Sequence, residues 1–297
     1  MTKIKFYIPK IILTFLLIFL LAGTELALLV QNKALTYKAF ETITNQQALD
    51  RKACSTLESY FQSRANSTGI PADIYLNAVT QEDMKQGILS SILFTFDYLN
   101  HSTDDAPVPE MNFTKLETSV TDFFNQYADT NNIQKDETFY QKVQANLDEA
   151  EAKILYTADA FRFSAVYEHG WLAKLRTFLD IFRKIMTVLC IVTGVILIFL
   201  ILCCKGRFSE LFYWLGLTAL ISGLLIAVPC LYILETNYFS AFVVKDLQIY
   251  SAVTGYLQYV TEQTAFMSVI TAVLGTGSLL IFHLIRKRSE QKITTAD

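Results

Sequence analysis

Residues 11–30 read IILTFLLIFLLAGTELALLV, twenty consecutive positions with a single charge, Glu25. As a helix this run is about 30 Å long, the thickness of a bilayer's hydrocarbon core. It predicts a first membrane-spanning helix, with Lys3, Lys5 and Lys10 ahead of it as the cationic flank. The same pattern opens a cleaved signal peptide. Here, however, the apolar core exceeds the roughly 7–15 residues of such a peptide, and Leu21-Ala22-Gly23-Thr24 lacks the Cys of a lipoprotein site. The reading is an uncleaved anchor.

Three more apolar runs follow at residues 185–204, 211–234 and 265–285, the third span entered through Tyr213 and Trp214 as interface anchors. A chain of 297 residues with 52% hydrophobic and 18% charged residues is too apolar for an ordinary soluble protein. The lipid bilayer is therefore its first partner. The net charge of −3 gives no basic field, which excludes nucleic acid as a partner.

Residues 31–184 are the one polar stretch long enough to form a water-facing domain, with 21 acidic and 15 basic side chains. Leu35, Ala39, Ile43, Ala48, Leu57 and Phe61 recur at helical intervals, so the first helix is expected to continue until Gly69-Ile70-Pro71 stops it. Thr80-Gln81-Glu82-Asp83 reads as a capping box ahead of a helix that buries Met84, Ile88, Leu89, Ile92, Phe96 and Leu99. Thr114-Lys115-Leu116-Glu117 reads as a second box, ahead of Leu116, Val120, Phe123, Phe124 and Tyr127. Phe139, Val143, Leu147, Ala150, Ile154, Ala158 and Phe161 step by three and four and mark the clearest amphipathic helix. No alternating β-branched run appears, and an amphipathic helix must bury its stripe, so the domain is expected to be a bundle of helices. Trp171 to Arg183 mixes aromatic and basic residues and reads as a collar leading into the second span.

Loops rich in Lys and Arg stay in the cytoplasm. The flanks expected inside hold Lys3, Lys5, Lys10, Lys205, Arg207, Arg286, Lys287, Arg288 and Lys292 in very little polar chain, whereas Lys174, Arg176, Arg183 and Lys184 dissent. The expected architecture is all-α: a four-span transmembrane bundle with a large helical extracytoplasmic domain inserted between the first and second spans. In chain order, residues 1–10 are cytoplasmic, 31–184 extracytoplasmic, 205–210 a cytoplasmic loop, 235–264 a partly helical extracytoplasmic loop and 286–297 a cytoplasmic tail.

Among residues that could carry chemistry, Glu25 is the one ionisable group well inside a span, and such carboxylates are costly and often functional. Arg183 and Lys184 are its expected partners, so Glu25→Gln should weaken folding rather than abolish transport. Small residues at intervals of four, Ala219, Gly223 and Ala227, and Ser268, Ala272 and Thr276, suit close helix packing, within one bundle or in a homo-oligomer. Pro229 is expected to kink the third span.

The remaining signals point away from catalysis. His101, His169 and His283 have no metal-ligand spacing, and neither a metal nor any other cofactor is expected. Gly275-Thr276-Gly277-Ser278 lacks the Lys of a phosphate loop, and no hydrolase or kinase signature occurs. Asp148, Glu149 and Glu151 read as a solvated face. Of five cysteines only Cys54 lies in the polar stretch, which excludes a disulfide framework there, and the Asn66, Asn100 and Asn112 glycosylation triplets read as chance matches. A bacterial cell membrane is the expected setting.

The order of one span, a large external domain and three spans resembles the membrane subunits of ABC exporters and cell-division permeases, in topology alone. It departs from them in an all-helical external domain and a short N-terminal flank. The leading expectation is a non-enzymatic membrane protein that presents residues 31–184 to a protein partner or ligand, as a sensor, assembly factor or cell-envelope component. The alternative is a transporter or channel subunit served by a separate ATPase.

Overall fold

The computed structural model describes residues 7–204 and 207–294, with Phe208 and residues 289–294 described through the backbone alone. The predicted inner cations Lys3, Lys5 and Lys205 lie outside the described residues, as does the side chain of Lys292. Every described element is helical, with no strand among the described residues. Four helices are long and apolar enough to cross a membrane.

The first helix, α1 (Tyr7–Leu29), pairs its backbone within itself, as hydrocarbon demands. It does not run on to Gly69. A π-turn over Val30–Ala34 ends it, with the Leu35 N–H donating to the Val30 carbonyl at 3.0 Å. Thr36 then starts α2 (Tyr37–Gln46), its hydroxyl accepting the Ala39 N–H at 3.3 Å. The chain breaks again at Ala48, in the left-handed region at φ 47°, before α3 (Leu49–Thr68). Ala39 and Ile43 of α2 and Leu57 and Phe61 of α3 are buried, whereas Leu35 and Ala48 sit at the breaks themselves. The predicted stop is where Gly69, at φ +75°, closes α3 by donating to the Ala65 carbonyl.

The chain continues through α4 (Asp73–Leu76), α5 (Gln81–Leu99), α6 (Thr114–Thr130), α7 (Glu137–Ala158) and α8 (Phe163–Glu168). The capping box at Thr80 is formed in both directions with Asp83. The one at Thr114 is not. Thr114 is already the first helical residue, its N–H held by the Asn112 Oδ1 at 2.9 Å, and no side chain caps α6. The basic collar and the second span form a single helix, α9 (Trp171–Cys203). The third span, α10 (Phe208–Glu235), continues through Pro229, and the second polar stretch and fourth span merge into α11 (Leu247–Thr294).

The chain divides into two compact units. The membrane-type unit is drawn from the segments Met1–Leu35, Phe178–Ala241 and Leu257–Asp297. Within it α10 and α11 approach as closely as glycine permits. A β-carbon at Gly223 would lie 2.6 Å from the Ser268 carbonyl oxygen, and one at Gly216 would lie 2.9 Å from that of Gly275. Ser278 donates its hydroxyl to the Phe212 carbonyl at 2.8 Å. The α1 helix packs on α10, with Lys10 paired to Glu210 at 2.5 Å and Tyr7 edge-on to Trp214. It meets α9 where the Thr24 and Thr193 hydroxyls lie 3.3 Å apart. Ile185, Val188, Ile191, Val195, Ile198 and Leu202 of α9 are exposed, an apolar surface suited to lipid.

The second unit comprises Thr36–Thr177 and Phe242–Tyr256. Its core joins Ala53, Leu57 and Phe61 of α3, Met84 of α5, Leu116 and Val120 of α6, and Val143, Leu147, Ala150, Ile154 and Ala158 of α7. The predicted stripes of α5 and α7 are therefore the core-facing ones, while Tyr127 of the α6 stripe is half exposed. The segment Phe242–Tyr256, expected to be a separate small loop, is integral to this unit. Gln248 and Ala252 are fully buried, Thr56 donates to the Gln248 Oε1 at 2.7 Å, Lys52 donates to the Ser251 Oγ at 2.8 Å, and Tyr256 stacks on Phe40.

Candidate functional site

In the membrane-type unit the feature of interest is Glu25, 9% exposed, with neither carboxyl oxygen hydrogen-bonded. The structure does not bring it to its expected cations: Arg183 forms an ion pair at 3.9 Å with Asp180, one turn earlier on the same helix, and no bond joins Glu25 to Arg183 or Lys184. Its neighbours are instead the hydroxyl side chains Ser268 and Thr271 of α11. The Ser268 hydroxyl also lies 2.8 Å from the Thr264 carbonyl and that of Thr271 3.2 Å from the Met267 carbonyl, one turn back on the same helix. Ser222 of α10 is fully buried with an unbonded hydroxyl. Its neighbour in sequence, Gly223, is where α10 touches Ser268.

Of the predicted packing residues, Gly223, Ser268 and Ala272 meet directly, and Ala227 is buried. The closest approach of the two helices also uses Gly216, which sequence reasoning passed over. Gly216, Gly223 and the Gly275 opposite them are spaced for it, but spacing alone does not say which helix they face.

In the helical unit an open groove of about 500 Å³ lies between the end of α6 and the start of α7. Phe124, Tyr127, Ile133, Phe139 and Val143 line it, with Asp136 and Lys142 at the edges. The Asp136 carboxylate accepts the Phe139 N–H at 2.9 Å and so caps α7, while Lys135 pairs with Asp129 at 2.7 Å across the turn. Capping and ion pair hold the α6–α7 turn, where Tyr127 and Ile133 are exposed while Phe124 and Phe139 are partly buried against the core. The sequence assigned Tyr127 to a buried stripe; helical periodicity cannot tell where a stripe runs past the end of its partner.

A smaller cavity of about 190 Å³ is lined by Cys54, Leu57, Glu58, Tyr75, Leu76 and Val79. Burial, reinforced by Asp50, pushes the Cys54 thiol up, so it is a poor nucleophile. On the outside of α3 and α7, Arg64 clasps the Glu149 carboxylate with both guanidinium nitrogens, and Lys153 lies 4.8 Å from the ring of Tyr60 and 4.9 Å from that of Tyr156. Its hydrogen bonds from Arg64 hold Glu149 below the usual carboxylate range, and Arg64 is raised in turn by that carboxylate. Of the predicted solvated acidic face, Glu149 pairs with Arg64 and Asp148 accepts the Gln144 side-chain amide at 2.7 Å. Among the described residues no set of three or more His, Cys, Asp and Glu side chains is grouped to hold a metal ion.

These features define a class, an all-helical chain with four helices able to span a membrane and a second, water-compatible helical unit. No family model, curated protein or solved structure matches the chain.

Proposed function

We propose that this chain is a multi-pass protein of a bacterial cell membrane, with cytoplasmic termini, that presents its helical unit outside the cytoplasm to bind a protein partner or ligand and catalyses nothing itself. The groove at the α6–α7 turn carries this reading: Tyr127 and Ile133 are exposed beside the partly buried Phe124 and Phe139, on a fixed turn with Asp136 and Lys142 in the lining, the composition of a recognition pocket. The test is capture from detergent by the full chain and by its Tyr127→Glu variant. Tyr127 is half exposed, so the substitution leaves the core of the helical unit untouched. Partners lost with that substitution support the reading, and an unchanged set removes the groove from it.

A second reading, a transporter or channel subunit served by a separate ATPase, draws its support from Glu25, an ionisable group buried without a countercharge. An ATPase captured equally by the native chain and by Tyr127→Glu would favour it.

A further inference from the structure

We propose that residues 242–256 are a releasable strap on the helical unit: in the folded chain they lift from α2 and α3 as a local event and uncover an aromatic cluster centred on Phe40. The segment enters from Ala241 and leaves into Leu257, both of the membrane-type unit, so it is held at both ends and is not a free terminus. Its docking face is unlike that of a core helix. Where α5 and α7 bury Met84, Ile88, Leu147 and Ile154, the buried positions of this segment are Gln248, Ser251, Ala252 and Gly255, spaced by three and four. These four take little apolar area out of water, and the hydrophobic effect scales with that area, so it holds the strap weakly. Ile249 and Tyr250 are only partly buried. Leu247 and Val253 are exposed, and Val243, just ahead of the helix, is 98% exposed.

Polar contacts make up the rest of the seam. Thr56 donates to the Gln248 Oε1, Lys52 donates to the Ser251 Oγ, and the exposed Tyr156 hydroxyl donates to the Asp246 carboxylate at 3.1 Å. Each such bond replaces one to water, so its net contribution is small. Gln248 adds a cost, because its Nε2 is buried without a partner and regains one from water only when the strap opens. The large side chain of the seam is Tyr256, whose ring stacks on Phe40 at 4.9 Å between centroids. Phe40 also meets Phe96 at 5.5 Å, Phe161 at 5.0 Å and Phe163 at 5.5 Å, so the cluster keeps packing of its own when Tyr256 leaves. The core of α3, α5, α6 and α7 draws no residue from the strap. Opening therefore leaves that core intact and presents an apolar face of the kind partners dock on.

The experiment measures how fast a maleimide reaches a cysteine placed under the strap in the purified full chain, the labelled position being identified by peptide mass. Ser251→Cys is close to isosteric and buried beneath the strap, and Ala150→Cys is buried to the same degree in α7. Ser251→Cys is expected to react at least about tenfold faster than Ala150→Cys, equivalent to an opening free energy smaller by about 1.4 kcal/mol. Ala252→Cys, fully buried one position on, should do the same with the Lys52 contact to Ser251 in place. Thr56→Val combined with Gln248→Met replaces both partners of the seam's buried bond by apolar groups of similar shape and removes the unbonded Nε2. It should slow labelling at both positions about fivefold. A ratio below tenfold at either position overturns the proposal, since the strap would then open only together with the core. So does labelling that the double substitution leaves unchanged or accelerates, since the polar seam would then be what keeps the strap closed.

Discussion

At the scale of single residues, stability in this chain turns on a few contacts that can be perturbed one at a time. Gly223 has no room for a β-carbon, because the obstructing atoms are the backbone of α11. Gly223→Ala should therefore lower stability by about 1–3 kcal/mol through overpacking. Gly277→Ala, where the new methyl meets nothing within 4 Å, should gain up to about 1 kcal/mol of helix propensity. Thermal unfolding in detergent, followed by the fluorescence of Trp214 and Trp171, separates the two. Glu149 gives a pH test. Its folded carboxyl is held below its unfolded value, which is about 4.3. Its contribution is therefore complete above that value and is lost as pH falls through the lower folded one. The side chain is 53% exposed, so the Arg64 pair should show a coupling of at most about 1 kcal/mol in a double-mutant cycle. Glu149→Gln should flatten the acid limb of the unfolding midpoint between about pH 5 and 3.

At the scale of elements, the two Thr-x-x-acid motifs make a matched comparison. Thr80→Ala removes a hydroxyl that accepts the Asp83 N–H at 3.1 Å and should cost about 1 kcal/mol. Thr114→Ala, within the first turn of α6 and capping nothing, should leave the midpoint within about 0.5 kcal/mol of the native chain. Chemical denaturation of the full chain, read by far-UV circular dichroism, checks both. The motifs look alike in sequence because a capping box is a statement about backbone angles at the first residue. Asn112, two positions earlier, took the Thr114 N–H and moved the helix start. The same lesson explains the broken first helix. Apolar residues recur from Leu35 to Phe61 at helical spacing, yet the cap at Thr36 and the left-handed Ala48 divide them.

At the scale of the whole molecule, the helical unit is assembled from two stretches far apart in the chain. Residues 36–177 produced alone would expose the surface that Gln248, Ser251, Ala252 and Tyr256 cover. They should aggregate or unfold at lower denaturant than the same residues joined through a flexible linker to 242–256. Equal midpoints for the two polypeptides would contradict this. Sidedness has its own test: protease added to intact cells should cut the polar loop around Asp104, between α5 and α6, and spare the tail beyond Arg286.

The sequence by itself determined that the chain is helical and that four stretches are apolar enough to cross a membrane. Those properties reside in composition and in a 3.6-residue period, which any window of the chain carries on its own. It also marked Gly223, Ser268 and Ala272 for close packing, since only small side chains let backbones touch. Only the tertiary structure decided that residues 242–256 complete the helical unit, that Tyr127 stands outward at a groove, and that Glu25 faces hydroxyls rather than Arg183. Each of these depends on which residues from distant parts of the chain come to lie side by side.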